Sequence, residues 1–225
     1  VSPTLVLFVV RATDNSLWSV TYDPTTLMYG PRFAAIFNPP IAAGQVASSP
    51  AAAIDANGVI WVAALGFDGQ LKVFLKQPGE AAFRTPFTVE AGPFVGDPAI
   101  GVGFGPETNI TVFGIGVGDH ACYALDFDIA THNLTAGPTR MGGRHLAITT
   151  AHPRIVVGIG TDSRLYYTQL AAAWPGDPWL LVDNAPVDII WDGIASANLG
   201  DASPFLFGTT FGGALVSTWD WPWGH

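Results

Sequence analysis

The segment Leu7-Phe8-Val9-Val10-Arg11-Ala12-Thr13-Asp14-Asn15-Ser16-Leu17-Trp18-Ser19-Val20 decides the fold. An apolar run stops at a polar turn, and a second short strand resumes at Leu17. The same pattern returns as VAALGFDGQLKVF ending at Phe74, FGIGVGDHACYAL ending at Leu125, VGIGTDSRLYYTQ ending at Gln169 and FGTTFGGALVST ending at Thr218. The turn position holds Asp14, Asp68, Asp119, Asp162 and Gly212, in steps of 54, 51, 43 and 50 residues. Such steps are close to the roughly 40–50 residues of one blade of a β-propeller.

The position after each turn residue holds Asn15, Gly69, His120, Ser163 and Gly213. Pairs such as Asp-Asn, Asp-Gly and Gly-Gly suit tight hairpins because they tolerate positive φ. Three residues after the turn comes an apolar side chain each time: Leu17, Leu71, Cys122, Leu165 and Leu215. The preceding strands, Leu5–Val10, Ile60–Leu65, Ile155–Val157 and Phe205–Phe207, are apolar on both faces. A strand of that kind needs cover on both sides, which stacked blades supply.

Gly114, Gly158 and Gly208 sit a few residues before their turns, consistent with strands crowding toward a central axis. Ser49-Pro50-Ala51-Ala52-Ala53 and Asp97-Pro98-Ala99-Ile100 are expected as innermost strands, with Phe83 to Val89 and Trp179 to Val182 as outer ones. No window keeps a 3.6-residue apolar period without a Gly or Pro, so helix is nearly excluded. The expected fold is therefore all-β: a single propeller domain over 1–225, with repeats at about 1–48, 49–96, 97–147, 148–194 and 195–225. Its terminal blades hold about three strands each. Three closures stay open: a five-bladed ring with thin ends, a piece of a longer ring, or a homo-oligomer completing its ring through a partner.

Composition agrees with a turn-rich, well-buried protein. Of 225 residues, 49% are hydrophobic and 12% charged, with 26 Gly and 18 Pro spread along the chain. A formal net charge of -9 with only 9 Lys and Arg speaks against a nucleic-acid partner. No apolar run approaches the roughly 20 residues of a membrane span, so membrane insertion is not expected. No intact signal peptide is evident, and secretion stays open. Cys122, the single cysteine, excludes an internal disulfide and reads as a small buried apolar side chain.

Leu7 to Trp18 resembles the blade signature of the bacterial and fungal propeller lectins related to the Photorhabdus lectin, whose blades read V-F-V-R-G-T-D-N-A-L-W or Y. Gly66-Phe67-Asp68-Gly69-Gln70-Leu71 and Gly160-Thr161-Asp162-Ser163-Arg164-Leu165-Tyr166 keep parts of it. The spacing is also similar to tachylectin- and tectonin-like propellers. The resemblance implies a multivalent lectin with shallow sites between blades, for fucosylated, amino-sugar or methylated glycans on cell surfaces or glycoproteins.

Sugar sites use a flat aromatic face against C–H groups, with amide, carboxylate or guanidinium groups on the hydroxyls. The candidates are Trp18, Tyr123 and Tyr166, which recur four residues past the turn Asp, with Trp191, Trp219, Arg11 and Arg164. For the aligned rings the competing expectation is packing between blades. The turn Asp residues are expected to accept hydrogen bonds from their own turns, which makes them poor catalytic groups. No His-Glu-x-x-His, Gly-x-Ser-x-Gly or CxxC motif occurs. Gly101–Gly105 and Gly114–Gly118 open no helix, and the five His lack metal-ligand spacing, so no cofactor, metal or catalytic residue is expected. The alternatives are a sialidase-like glycosidase, which needs one pocket with paired carboxylates, and a protein-interaction scaffold, which needs a large apolar patch.

Overall fold

A computed structural model describes residues 6–23, 25–30, 34–36, 46–84, 86–103, 109–152, 155–169, 178–182, 191–197, 205–210 and 212–218. The chain divides into two compact units, Val1–Gly92 and Pro93–His225. Every described element is a strand, and no helix occurs among the described residues.

The first unit holds two antiparallel sheets. In one, β1 (Val6–Arg11), β2 (Leu17–Asp23) and β3 (Met28–Tyr29) lie side by side, and the short β4 (Ala34–Ala35) also pairs with β2. The other is a four-stranded meander of β5 (Ala51–Ile54), β6 (Ile60–Leu65), β7 (Leu71–Lys76) and β8 (Phe87–Val89). Leu17 and Ile36 pack against Val46, Val62, Ala64, Phe74 and Phe83, which joins the two sheets face to face.

The second unit carries three such sheets. They are β9 (Phe94–Val102) to β12 (Leu134–Gly142) through β10 (Asn109–Gly116) and β11 (Cys122–Asp128); β13 (His145–His152), β14 (Ile155–Gly160), β15 (Leu165–Gln169) and β16 (Leu180–Leu181); and β17 (Trp191–Ala197), β18 (Phe205–Thr210) and β19 (Leu215–Thr218). Phe113, Ile115, Cys122 and Met141 of the third sheet meet Ile148 and Val156 of the fourth. Val157, Ile159 and Leu165 of the fourth meet Leu206 of the fifth. Of the expected apolar runs, Ile155–Val157 lies in β14, which is buried along its whole length between two neighbours, and Ile60–Leu65 is β6, buried from Trp61 onward.

The hairpins follow one local rule. Asn15, Gly69, His120, Ser163 and Gly213 all adopt positive φ, between 55° and 77°. In four hairpins the residue at positive φ donates its N–H back to the strand end, as Ser163 does to the Gly160 carbonyl at 2.8 Å. Only the second residue of each expected pair is left-handed, so these are type I turns closed by a bulge, a three-residue loop in place of the two-residue one. The third sheet inserts one more residue, Ile115 pairing with Cys122, and His120 there donates to the Gly116 carbonyl at 3.0 Å.

Two expectations need correction, and a third gains a cause. Leu17, Leu71, Cys122 and Leu165 are buried, but Leu215 is 73% exposed. Leu17, Cys122 and Leu165 are covered by the sheet that follows in the chain. Strand β1 is likewise covered on one face only: Val9 packs inward while Phe8 and Val10 are 42% and 40% exposed. Finally, the crowding expected at Gly114 and Gly158 has a specific local source. A Cβ at Gly114 would stand 2.9 Å from the Phe94 ring, and one at Gly158 would stand 2.5 Å from His145 Nδ1. Each glycine makes room for a ring reaching over from the neighbouring strand of its own sheet.

Candidate functional site

The recurring turn Asp uses its two oxygens differently. Oδ1 accepts the N–H two residues on: Ser16 onto Asp14 at 3.0 Å, Gln70 onto Asp68 at 3.0 Å, Ala121 onto Asp119 at 3.0 Å and Arg164 onto Asp162 at 3.2 Å. This is the expected turn-stabilising role. Oδ2 holds the side chain four residues on. Lys72 Nζ donates to Asp68 at 2.9 Å, Tyr123 OH to Asp119 at 3.0 Å and Tyr166 OH to Asp162 at 2.8 Å. In the first hairpin Ser16 mediates: Trp18 Nε1 donates to Ser16 Oγ at 2.6 Å, and Ser16 Oγ donates to Asp14.

In the four hairpins with a turn Asp the aligned position therefore holds a long side chain with a donor at its tip, which explains why Lys72 can stand among aromatics; in the fifth, Gly212 replaces Asp and Val216 stands there. Trp18, Tyr123 and Tyr166 are first of all hairpin braces. The bonds set their ionisation as well. The Ser16 hydroxyl and N–H hold Asp14 below the usual carboxylate range, and the Ala121 N–H with Arg140 does the same for Asp119. Burial alone would raise Asp162, yet the Tyr166 hydroxyl and Arg164 N–H keep it low. Bonding to Asp162 pushes the Tyr166 phenol up.

Tyr166 is the one expected site residue that the structure places in a described cavity. This space, about 230 Å³, is lined by Gly143, Arg144, His145, Gly160, Thr161, Asp162, Tyr166 and Trp179. All of its lining belongs to the second unit, at the turn end of the fourth sheet and the link leading into it. Trp179 crosses to the third sheet, donating its indole N–H to the Met141 carbonyl at 3.2 Å. The backbone closes one side where the Thr161 N–H meets the Arg144 carbonyl at 3.0 Å and the His145 N–H meets the His120 carbonyl at 2.8 Å.

The remaining candidates lie elsewhere. Tyr123 sits in the third sheet, where Arg140 Nε joins it on Asp119 at 2.9 Å and the Phe94 ring stands 6.2 Å away. Arg11 donates from its guanidinium to the Ala47 carbonyl, tying the first sheet to the segment before the second. Arg164 is exposed beside its turn and does not line the cavity. Trp191 begins β17, its side chain outside the described residues, and Trp219 also lies outside them. Cys122 is fully buried, and burial pushes its thiol up, as a packing role requires.

Sequence reasoning missed Trp179, Arg144 and His145 as cavity residues. The double Gly142-Gly143, with φ of +80° and +72°, is the one local signal that pointed to an unusual corner there. Among the described residues no group of three or more His, Cys, Asp or Glu could hold a metal ion.

Five successive antiparallel sheets of three or four strands, each built around the same hairpin, define the chain as a five-bladed β-propeller. Solved structures share this fold. The BP39L lectin from Burkholderia pseudomallei is similar over 99% of this chain and 65% of its own, with 17% identity and a TM-score of 0.73. SapL1 lectin, in complex with alpha methyl fucoside, is similar over 97% of this chain and 81% of its own, at 16% identity and a TM-score of 0.55. The Hadza microbial sialidase Hz136 is similar over 97% of this chain and 55% of its own, at 10% identity and a TM-score of 0.56. The chain thus spans about two thirds of the BP39L chain that it matches. No protein-family model matches the sequence, and no curated protein matches it. At such identities the likeness shows the fold.

Proposed function

We propose that this propeller binds carbohydrate and that the cavity beside Trp179 is a sugar site. The observation that carries this reading is the composition of the cavity wall. Two aromatic residues, Trp179 and Tyr166, line it together with Arg144, Thr161 and Asp162, whose side chains carry a guanidinium, a hydroxyl and a carboxylate. Flat apolar faces with a few fixed polar groups are what a pyranose needs, since it presents C–H groups on one side and hydroxyls at its rim. The cavity volume suits a single small ligand, and the structural likeness to two lectins, one holding a methyl fucoside, supports the same reading.

Hydrolysis fits this cavity poorly. Glycoside cleavage ordinarily uses two carboxylates flanking the bond, and the lining carries one, Asp162, with both oxygens already engaged. The chain therefore acts as a binder, and several weak sites on one chain would raise its hold on a glycan-coated surface. Such sites are unlike one another: the corner of the third sheet that corresponds to the cavity is occupied by Phe94 and by the Asp119, Tyr123 and Arg140 cluster.

A glycan array including α-fucosides, amino sugars and methylated sugars, run with and without calcium, tests the proposal. Binding of at least one class, lost in Trp179→Ala and unaccompanied by hydrolysis, is the expected result. An array without any bound sugar at neutral pH overturns it.

A further inference from the structure

His145 has register equivalents in two other sheets. It opens β13 opposite Gly160, as Phe94 opens β9 opposite Gly116 and Trp191 opens β17 opposite Thr210. The backbone repeats as well, since the Val117 N–H to Pro93 carbonyl bond, at 3.3 Å, corresponds to the Thr161 to Arg144 bond. In the third sheet the Phe94 ring lies over Gly114, and in the fourth the His145 ring lies over Gly158. The fold thus asks for a flat ring above a strand glycine, and phenylalanine satisfies it.

Histidine at this place is costly. The residue is 1% exposed, and among the described residues neither Nδ1 nor Nε2 has a hydrogen-bond partner. The slot is tight on both sides: a Cβ at Gly143 would stand 1.9 Å from Nε2, and one at Gly158 would stand 2.5 Å from Nδ1. Trp179 covers the ring at 3.9 Å between centroids. Burial lowers the imidazole pKa to about 4, so the ring is neutral at pH 7. An imidazolium carries two N–H donors and a charge, and among the described residues the slot offers neither nitrogen an acceptor.

We propose that His145 is an acid-labile latch of the cavity: protonation drives its ring out of the slot between Gly143 and Gly158, and the Trp179 wall goes with it. The exit lies past Gly142 and Gly143, both at positive φ and both lacking side chains to move. Other charged groups face this corner. Arg144, Asp162 and Tyr166 line the cavity, while His120 stands in the turn whose carbonyl receives the His145 N–H and Arg140 approaches Gly142. Hydrogen bonds hold the Asp162 carboxyl low, whereas burial holds the imidazole low, and comparison with His145→Phe separates the two. The latch belongs to the cavity whichever ligand the cavity takes.

The experiment compares the wild-type chain with His145→Phe, which copies the arrangement of Phe94. NMR between pH 7 and pH 3 follows the His145 imidazole and the Trp179 indole N–H, the latter assigned with Trp179→Phe. In the wild type both signals are expected to move with one midpoint near pH 4. In His145→Phe the indole signal stays fixed, and Tm at pH 4.5 exceeds that of the wild type by more than it does at pH 7. A sugar found on the array would bind about tenfold more weakly for each pH unit below the midpoint in the wild type, while the affinity of the variant, whatever its value at pH 7, would not follow pH in this way. A His145 midpoint near 6.5, or an indole signal blind to it, overturns the latch even if the sugar reading stands. If no sugar binds, the NMR titration still decides the latch.

Discussion

The imidazole of His145 lies 3.9 Å from the indole of Trp179, centroid to centroid, with their planes inclined by 46°. The contact joins the first residue of β13 to a residue just before β16, and the same indole reaches Met141 at the end of β12. One side chain thus ties the outer edge of the fourth sheet to the third. Trp179→Phe keeps a ring against His145 but leaves the Met141 carbonyl without this donor. A loss of about 1 kcal/mol in denaturant unfolding is expected, with sugar affinity falling less than in Trp179→Ala. Equal losses of affinity in the two variants would show that the ring face is not what the ligand meets.

Gly158→Ala tests the slot from below. The new Cβ would stand 2.5 Å from His145 Nδ1 in a corner with no slack, and overpacking of that kind costs about 1–3 kcal/mol. Gly118→Ala is the matched control, because nothing lies within 4 Å of its Cβ and its φ is not in the left-handed range. Unfolding curves should separate the two clearly. A Gly158→Ala chain as stable as the Gly118→Ala chain would mean that the ring is loosely held.

The turn position allows a cleaner backbone measurement. Gly213 has φ of +77° and open space around its Cβ, so Gly213→Ala isolates the cost of the left-handed conformation, about 1 kcal/mol. Ser163 bears that cost already at φ of 63°. Ser163→Gly is expected to raise Tm slightly, the relief being partly offset by the added freedom of the unfolded chain. A rise for the alanine variant, or a marked fall for the glycine variant, would contradict the shared turn geometry.

These turns were legible in the sequence because left-handed φ is a property of single residues, written in Asn15, Gly69 and Gly213. The double burial of β14 was legible for a similar reason, as the unbroken apolar run Ile155–Val157. The cavity was not. Its slot needs Gly158 beneath a ring that begins another strand, and its wall comes from Trp179, 34 positions after His145. Only register brings those residues together. Tyr123 and Tyr166 share a sequence position and a bond to Asp, yet only the second borders the cavity, because what stands opposite differs: Arg140 across from Tyr123, and Leu181 across from Tyr166.

Tyr166→Phe separates the two duties of that ring. The hydroxyl holds Asp162 at 2.8 Å, while the ring lines the cavity. Removing the hydroxyl leaves Asp162 with the Arg164 N–H against a burial effect that raises its pKa, so its titration midpoint should move up toward the ordinary carboxylate value. A carboxylate held low in the folded state contributes stability above its unfolded pKa and loses it as pH falls through the folded one. The Asp162 share of acid sensitivity is therefore smaller in the variant, and carboxyl NMR together with Tm at neutral and acid pH would record both changes. Sugar affinity is expected to stay within threefold, since the ring face remains. If affinity collapses while the ring stays in place, the hydroxyl itself contacts the ligand, and Asp162 is then a second-hand participant in binding and not only a brace of its hairpin.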